Sequence, residues 1–303
     1  MTAAVVDIGS NSVLLLVGTL SAAGEVHVTD RALATTRLGS GLAADGCLTD
    51  VAKERTTAAV LAFVRQARAG GARVLAGFAT GAARRARDGD AFVHRLAQVA
   101  GMPIEILSGA AEGMLAYQAA CDGSASACAV VDVGGATTEI TLGHGPRTEP
   151  PVSLPLGALV LTEAFGGSVA ALDRAGITAA IAAALAPVAL LTHIRDDDAR
   201  LVASGGTATA LAALDLGLTQ YNPERVHGHH LALGTVERMA AADWGIPAGL
   251  DPRRAEILPA GALVLLGVMR AAGASRATVS DRGVSYAYLE RLLRTPSPAG
   301  TAR

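Results

Sequence analysis

VVDIGSNSVLLLVG at residues 5–18 is repeated 125 positions later as VVDVGGATTEITLG at residues 130–143. Each copy consists of an apolar strand, a turn that begins with Asp-x-Gly and is rich in Gly, Ser, Thr or Asn, and a second apolar run. Such a turn presents several backbone N–H groups and small hydroxyls at one point, which suits a phosphate group. The duplication therefore predicts two related lobes that hold a phosphorylated ligand and a divalent cation between them.

Length and composition favour two packed α/β domains. The chain has 303 residues, which exceeds the size at which one hydrophobic core is comfortable. It is 51% apolar but only 3% aromatic, so it can bury ample surface without the large rings of an aromatic-rich all-β protein. The formal net charge of −2 gives no global field that attracts nucleic acid or a membrane surface, and neither is expected as a partner.

The cysteines and the apolar segments predict a cytoplasmic protein. Cys47, Cys121 and Cys128 form no C-x-x-C pair and leave one odd cysteine, which predicts free thiols in a reducing compartment. No basic segment with a cleavage site precedes the first strand. The longest apolar stretches, residues 179–191 and 257–269, are shorter than a bilayer span and are predicted to be buried helices.

The hydrophobic pattern predicts a mixed sheet flanked by helices in each half of the chain. In the first half the order is β-β-β-α-β-α-β-α, with a loop or edge at residues 31–41 and a helix at residues 50–68. A Gly/Ser-rich linker at residues 122–126 separates residues 1–121 from residues 122–303 as two domains, and the last helix is expected to pack back on the first. The predicted helices of the second half are 154–165, 178–191, 208–216, 234–242 and 253–272, its predicted strands after the repeat are 201–203 and 277–280, and the tail from residue 295 is expected to fray.

The first turn carries a carboxylate and three small polar side chains. Asp7 ends a buried strand and could hold a metal-bound water. After Gly9, the side chains of Ser10, Asn11 and Ser12 are suited to donate hydrogen bonds to phosphate oxygens. An ordinary hairpin turn would use the same residue types, but the repetition of the pattern favours the functional interpretation.

The second turn has two glycines and two potential cation ligands. Gly134 and Gly135 allow the backbone to approach an anion closely, and Thr137 adds a hydroxyl donor. Asp132 and Glu139 supply carboxylate oxygens for Mg²⁺, which takes one or two carboxylates and completes its shell with water and phosphate. The alternative interpretation of Glu139 is a solvated strand residue.

Three further segments carry candidate binding or catalytic groups. Gly205 and Gly206 lie between a strand and a helix, where backbone amides can bind an anion, although tight strand-to-helix packing explains such glycines equally well. Arg84 follows a strand end and could fork onto phosphate oxygens. Glu112 lies in the first turn of a helix, where it either stabilises the helix dipole or accepts a proton from an attacking water.

Two segments rich in histidine or aspartate are weaker candidates. His227, His229 and His230 have no acidic or cysteine partner at ligand spacing, so a metal site is disfavoured there. Residues 196–198 are three consecutive aspartates, a pattern that is typical of a solvated turn.

The order of eight motifs resembles that of the exopolyphosphatase/guanosine pentaphosphate phosphohydrolase (Ppx/GppA) family, within the sugar-kinase, Hsp70 and actin superfamily. The resemblance covers essentially the whole chain and is to the short, two-domain form. It implies two actin-like (ribonuclease H-like) α/β domains, with mixed sheets flanked by helices and a cleft between them. The motifs are DIGSNSVLLLV, RLGSGL, FATGAARRA, ILSGAAEG, VVDVGGATTEI, SLPLGALVLTE, ASGGTATAL and RAEILPAGALVLLG.

The resemblance implies an exopolyphosphatase that uses Mg²⁺ to remove the terminal phosphate from linear inorganic polyphosphate. Mn²⁺ as a substitute, K⁺ as an activator and a homodimer are expected on the same ground. Glu112 matches the catalytic glutamate that activates water, and Arg84 matches the arginine that holds the phosphate chain. Asp132 and Glu139 match the acidic residues around the metal, to which the first turn adds Asp7. The residues that match the two phosphate loops are Ser10, Asn11 and Ser12, with Gly134, Gly135 and Thr137.

Three other functions remain open. Hydrolysis of guanosine pentaphosphate would use the same chemistry, and a weakly catalytic regulator that binds such alarmones would use the same cleft. An ATP-dependent kinase is disfavoured, because residues 204–207 are the only candidate adenosine loop in the sequence and no sugar-binding acidic motif is evident.

Five positions depart from the family's pattern. Ala136 stands where a third glycine is usual, so a methyl group is expected to intrude on the second phosphate loop. Gly81 replaces a serine, Ala110 an acidic residue and Leu14 a histidine. Ser285 follows a Gly-Val pair where an arginine is customary. The base and the metal carboxylates are kept, so we expect an active enzyme whose substrate choice and turnover are altered.

Overall fold

The computed structural model describes residues 1–121, 126–167, 171–242, 245 and 249–295. These residues form two mixed β-sheets with helices packed against them, which confirms the predicted α/β class. The predicted linker at residues 122–125 and the predicted frayed tail at residues 296–303 lie outside the described residues.

The first sheet consists of Thr2–Ile8 (β1), Ser12–Leu20 (β2), Val26–Thr35 (β3), Val74–Ala79 (β4) and Ile104–Ile106 (β5). Its order is β3-β2-β1-β4-β5, with β1 antiparallel to β2 and parallel to β4. Ala4, Val6 and Ile8 pack into one core cluster. The alternate residues Ala3 and Val5 pack into another, because both faces of this sheet are covered. The helices of this half are Leu42–Asp45 (α1), Asp50–Ala69 (α2), Gly81–Arg85 (α3), Gly89–Ala100 (α4) and Gly109–Ala120 (α5).

The second sheet follows the order β11-β12-β10-β6-β7-β8, and β9 also pairs with β7. Its strands are Ala127–Val133 (β6), Thr138–His144 (β7), Arg147–Thr148 (β8), Val152–Leu154 (β9), Arg200–Ser204 (β10), His230–Ala232 (β11) and Arg276–Val279 (β12). Its helices are Ala158–Ala164 (α6), Arg174–Leu185 (α7), Leu190–Asp196 (α8), Gly205–Asp215 (α9), Pro223–Val226 (α10), Leu233–Ala241 (α11), Pro252–Ala255 (α12), Leu258–Ala271 (α13) and Val284–Arg294 (α14).

The repeat in the sequence is also a repeat in the structure. Asp7 pairs with Leu14 across β1 and β2, and Asp132 pairs with Glu139 at the same register across β6 and β7. In each hairpin the aspartate lies one residue before the end of its strand. The two carboxylates therefore hold equivalent positions, one in each sheet.

A shared core joins the two sheets. The last helix, α14, packs against β1, β2 and α5, and α5 also contacts β6 and β7. One buried cluster accordingly contains Val5 and Phe78 from the first half together with Val130 and Leu289 from the second. The rings of Phe78 and Tyr288 lie 4.8 Å apart between their centroids, within the range of a favourable aromatic contact.

Several elements begin or end differently from the sequence-based prediction. Residues 31–35, predicted as a loop or edge, continue β3, which is an edge strand that pairs with β2. The predicted helix 154–165 is shorter, because Leu154 ends β9 and α6 begins at Ala158, and the predicted helix 253–272 is divided into α12 and α13. The predicted helix 178–191 is divided into α7 and α8 near Pro187, which cannot donate to a helical hydrogen-bond ladder.

The prediction of three free thiols is wrong for two of the cysteines. Cys121 and Cys128 form a disulfide, and Cys47 is free. Cys121 follows the last residue of α5 and Cys128 lies in β6, and their Cα atoms are 6.5 Å apart. That separation is within the reach of a disulfide, but nothing in the linear spacing of the cysteines predicts it.

Within the described ranges, no single helix has both the length and the apolar character to cross a membrane. Only α7 and α8 together reach that length, and they are bent by 84° relative to each other. The long apolar helix α13 is almost entirely buried against its neighbours, as the sequence predicts for its apolar stretch.

Candidate active site

A cavity of about 550 Å³ lies where the two sheets face each other. It is lined by both repeated turns, by the first turn of α9 and by the segment that leads into α14. The two turns are in direct contact, because a side chain at Gly135 would begin 3.2 Å from the Cβ and the backbone nitrogen of Asn11. The duplicated turns therefore meet at one cavity.

The two turns have the same backbone geometry. The amide of Gly9 donates to the carbonyl oxygen of Ser12 at 2.9 Å, and the amide of Gly134 donates to the carbonyl oxygen of Thr137 at 3.0 Å. A Cβ at either glycine would lie 3.0 Å from that same carbonyl oxygen. Each turn therefore needs its first glycine for close approach of the backbone.

One aspartate from each turn lines the cavity. Asp7 Oδ2 accepts a hydrogen bond from Ser285 Oγ at 2.6 Å, and Ser204 Oγ lies 3.5 Å from Asp132 Oδ2. Burial, with a smaller contribution from the Glu112 carboxylate, raises the pKa of each aspartate to about 7. Because their ionised forms are disfavoured, a bound cation would stabilise both carboxylates.

Glu112 is held by an arginine. Arg84 Nη1 donates to Glu112 Oε2 at 2.8 Å and to the carbonyl oxygen of Leu107 at 2.8 Å. Burial raises the pKa of Glu112, whereas Arg84 acts to lower it. The pKa of Glu112 stays above its ordinary value, and the ion pair offsets part of the cost that burial places on the ionised form, which a general base requires.

Glu139 is only 2% exposed, so its interpretation as a solvated strand residue is wrong. Its Oε1 atom accepts a hydrogen bond from Ser153 Oγ at 2.7 Å and lies 3.5 Å from Arg84 Nη2. Burial and the Glu112 carboxylate raise the pKa of Glu139 well above its usual range. Its role as a metal ligand stays a prediction, as does the contact of Arg84 with phosphate.

The cavity brings most of the predicted residues together. Arg84 and Glu139 do not line it; they contact each other, and Arg84 contacts Glu112. The predicted residues that line the cavity are Asp7, Gly9, Ser10, Asn11, Ser12, Glu112, Asp132, Gly134, Gly135, Thr137, Gly205 and Gly206.

The side chains of the first turn are partly committed to the fold. Ser10 Oγ accepts a hydrogen bond from the amide of Ala82 at 2.9 Å, and its own hydroxyl proton can still be donated. Asn11 Nδ2 donates to Ser12 Oγ at 3.2 Å. The buried Asn11 Oδ1 has no partner among the described residues, so a water molecule or a hydrated cation would satisfy it.

The N-terminus of α9 lies against Asp132, the aspartate of the second turn. Gly205 has a left-handed backbone with φ of 84°, and a Cβ there would lie 2.3 Å from Asp132 Oδ1. Ser204 makes no side-chain cap. The first amides of α9, at Gly205 and Gly206, are therefore available to an anion in the cavity.

The donor set of the cavity fits magnesium. Asp7 and Asp132 offer hard carboxylate oxygens. Asn11 offers its amide oxygen Oδ1, which has no hydrogen-bond partner among the described residues. Over the part of the chain that the structure describes, no three His, Cys, Asp or Glu residues come together as a metal centre. A magnesium ion bound here would therefore keep water or substrate oxygens as most of its ligands, as this ion commonly does.

The two weaker candidates form local pairs at the surface. His229 Nε2 lies 2.7 Å from Asp215 Oδ2, and His230 Nδ1 lies 3.2 Å from Thr278 Oγ1. Asp197, from the aspartate triplet, lies 3.2 Å from His144 Nε2. That neither segment is a metal site stays a prediction.

A family model for the Ppx/GppA phosphatase family matches residues 19–293, which is most of the chain. The chain belongs to this family. The Ppx/GppA enzyme of Aquifex aeolicus is 26% identical to it, with 96% of this chain and 99% of that chain covered and a TM-score of 0.74. An exopolyphosphatase from Cytophaga hutchinsonii has a TM-score of 0.85 at 19% identity, over 97% and 98% of the two chains, and shares the fold. Membership supports phosphohydrolase activity.

Two departures from the Ppx/GppA pattern lie against each other. A Cβ at Gly81 would lie 3.0 Å from the Ala136 methyl and 3.2 Å from the hydroxyl oxygens of Ser10 and Thr137. The Ala136 side chain is 1% exposed and therefore packed, although the residue borders the cavity. The Ala136 methyl thus packs against Gly81, which has no side chain.

Sequence reasoning missed the residues at the far end of this Ppx/GppA cavity. Arg31, Asp281 and Tyr221 meet there, with Arg31 Nη1 and Nη2 donating to the two carboxylate oxygens of Asp281 at 2.9 and 2.6 Å. Arg254 also lines the cavity beside Gly206. These residues are far apart in sequence, and although Arg254 begins the RAEILPAGALVLLG motif, the motif by itself assigned no role to it.

Proposed function

We propose that this Ppx/GppA protein is an exopolyphosphatase that releases the terminal phosphate of linear polyphosphate with Mg²⁺. The observation that carries the proposal is the meeting of two equivalent phosphate turns at one cavity, with the Glu112 carboxylate in its wall. Phosphoryl transfer depends mainly on placement of the phosphate and stabilisation of its charge, which such turns supply.

Each group of residues has a separate task in this reaction. The backbone amides of the two turns bind and orient the terminal phosphate, with the hydroxyls of Ser12 and Thr137. Glu112 accepts a proton from the attacking water. The oxygen of that water bonds to phosphorus while the bridging P–O bond breaks. The shortened chain leaves with the bridging oxygen.

Asp7 and Asp132 would hold the magnesium ion, which when bound neutralises charge on the phosphate oxygens. Arg84 keeps the Glu112 carboxylate in place and offsets part of the rise in its pKa that burial causes. Arg84 Nη2 makes only long contacts of 3.5 Å, so this nitrogen would be able to donate to a phosphate while Nη1 stays bound to Glu112.

Guanosine pentaphosphate is the second candidate substrate, because part of the cavity lining is apolar. Ala213, Leu214, Leu218 and Leu250 line the cavity, as does the ring of Tyr221. An inorganic chain has no apolar part to place there, whereas a purine and its ribose do. A regulator that binds such a nucleotide with little turnover would use the same surface.

The deciding experiment is phosphate release from tripolyphosphate, long polyphosphate, guanosine pentaphosphate and ATP, with Mg²⁺ or with chelator. We expect Mg²⁺-dependent release that falls by roughly 10²–10⁴-fold in Glu112→Gln, since the base is lost while the fold is kept. The surface variant Glu237→Gln, on α11, is the matched control. Activity retained in Glu112→Gln would remove the base assignment, and tight binding of guanosine pentaphosphate without turnover would favour the regulator.

A further inference from the structure

Arg254 is a cationic side chain that lines the cavity, and it forms no ion pair with a carboxylate among the residues that the structure describes. Its Nη2 atom donates to the carbonyl oxygen of Gly206 at 3.1 Å, and among the described lining residues the other cation, Arg31, is already paired with Asp281. Burial lowers the pKa of the Arg254 guanidinium, and the nearby Asp251 carboxylate offsets this only in part. A partly desolvated charge that is not directly paired favours the binding of an anion.

The short helix α12 is fixed across the cleft by the residues on either side of Arg254. Arg253 Nη1 donates to the carbonyl oxygen of Thr35 at 3.1 Å, and Glu256 forms an ion pair with Arg37. Arg37 Nη2 also donates to the carbonyl oxygen of Arg253 at 2.8 Å. These contacts hold α12 against residues 35–37 of the first half of the chain. The side chain of Arg254, between them, lines the cavity.

The position of Arg254 differs from that of the reacting groups. It contacts Gly206, one residue beyond Gly205, whose Cα faces Asp132. None of its contacts is with Glu112 or Arg84 among the residues that the structure describes. An anion held by Arg254 and by the free amides of α9 would thus lie beside the reacting phosphate, at a distance from the base.

We propose that Arg254 determines substrate specificity by binding a phosphate of the chain other than the one that is released. The inference rests on the proposed function, since it assigns the second anionic subsite of the same cavity. A substrate with three or more phosphates reaches Arg254, whereas pyrophosphate is held by the turns alone. Both an inorganic chain and a nucleoside oligophosphate present the required phosphate.

The test compares wild type, Arg254→Gln, Arg254→Lys and the surface control Arg270→Gln. Steady-state phosphate release is measured with pyrophosphate, tripolyphosphate and guanosine pentaphosphate, and calorimetry measures tripolyphosphate binding. We expect Arg254→Gln to raise KM and Kd for tripolyphosphate roughly tenfold or more, the range of a charge-assisted hydrogen bond, with kcat changed little and pyrophosphate unaffected. Arg254→Lys should recover part of the loss, and Arg270→Gln should behave as wild type.

Each result decides the inference separately from the proposed function. Equal losses with pyrophosphate and tripolyphosphate, or a loss in kcat alone, would show a structural role and overturn it. A wild type that binds tripolyphosphate through Arg254 but releases no phosphate would overturn the proposed function and keep the subsite. A wild type that binds no oligophosphate would overturn both. A rise in KM for guanosine pentaphosphate alone would identify the nucleotide as the source of the phosphate.

Discussion

At the scale of single residues, Gly81 and Ala136 show how the two turns are fitted to each other. A methyl group is present on one side of the contact and absent on the other. The expectation from sequence was that the Ala136 methyl intrudes on the second phosphate loop, yet this methyl is buried against Gly81. Protein interiors are packed closely enough that one methyl group is felt at such a contact.

The pair predicts strong coupling between two substitutions. Gly81→Ser adds atoms 3.0 Å from the Ala136 methyl and should destabilise the fold by about 1–3 kcal/mol through overpacking. Ala136→Gly removes the methyl and should cost about 1 kcal/mol. The double variant should be more stable than the sum predicts, by about 0.5–3 kcal/mol in urea unfolding. Additive effects would show that the two positions do not share this space.

At the scale of secondary-structure elements, α14 connects the end of the chain to the first sheet. It packs against β1 and β2, and its first turn brings Ser285 to Asp7. The hydroxyl of Tyr286, the next residue, donates to the carbonyl oxygen of Val26 at 3.3 Å. An element from the second half of the chain thus completes the carboxylate site of the first half.

Removing the Ser285 hydroxyl should therefore weaken the docking of α14. Ser285→Ala leaves Asp7 without a donor at 2.6 Å, and we expect a loss of about 1–2 kcal/mol in the free energy of unfolding. Tyr286→Phe removes a longer, neutral hydrogen bond on the same helix and is the matched control, with a smaller expected loss. Chemical denaturation of both variants measures the difference, and equal losses would contradict the argument.

At the scale of the whole molecule, the two lobes are tied together on one side of the cavity. Arg31 binds Asp281 and Arg37 binds Glu256, so residues of β3 and its following loop reach the second lobe. Ser40 Oγ adds a hydrogen bond to Glu163 Oε1 at 2.6 Å. Buried carboxylates from both halves of the chain line the cavity. Their negative charge, when they are ionised, destabilises the metal-free fold.

This gathering of carboxylates predicts that stability falls with rising pH when metal is absent. The folded pKa values of Asp7 and Asp132 are about 7, above the ordinary value of 3.8, so the folded state holds protons that the unfolded chain releases. The contribution of the protonated carboxyls to the free energy of unfolding is complete below about pH 4. It decreases as the pH rises and is lost above about 7, where both groups ionise in the folded state. Mg²⁺, which binds the ionised forms, should stabilise the protein more at pH 8 than at pH 5.

Thermal unfolding at pH 5 and pH 8, in chelator and in magnesium chloride, measures this effect. The variant Asp7→Asn with Asp132→Asn should lose the part of the pH dependence that these two carboxyls cause and most of the gain from Mg²⁺, while the buried Glu139, whose pKa is also raised, keeps its own part. A pH dependence as steep as that of the wild type would show that other groups are responsible.

The repeated hairpins were predictable from the sequence, because a buried strand followed by an Asp-x-Gly turn is determined by neighbouring residues. Asp7, Asp132 and the glycines of both turns could be assigned for that reason. The helix boundaries near Pro187 were predicted wrongly, and of the two alternatives at residues 31–35 strand pairing chose the edge strand. The disulfide was missed because it depends on the tertiary distance between Cys121 and Cys128.

The sequence by itself determined the α/β class, the duplication and the two turns that meet at the cavity, since each follows from local pattern and spacing. Only the tertiary structure decided which distant groups meet: Arg84 with Glu112, Ser285 with Asp7, and Arg254 with the first turn of α9. Such contacts join positions up to 278 residues apart, and their partners are chosen by the packing of whole lobes, a property that no local pattern records.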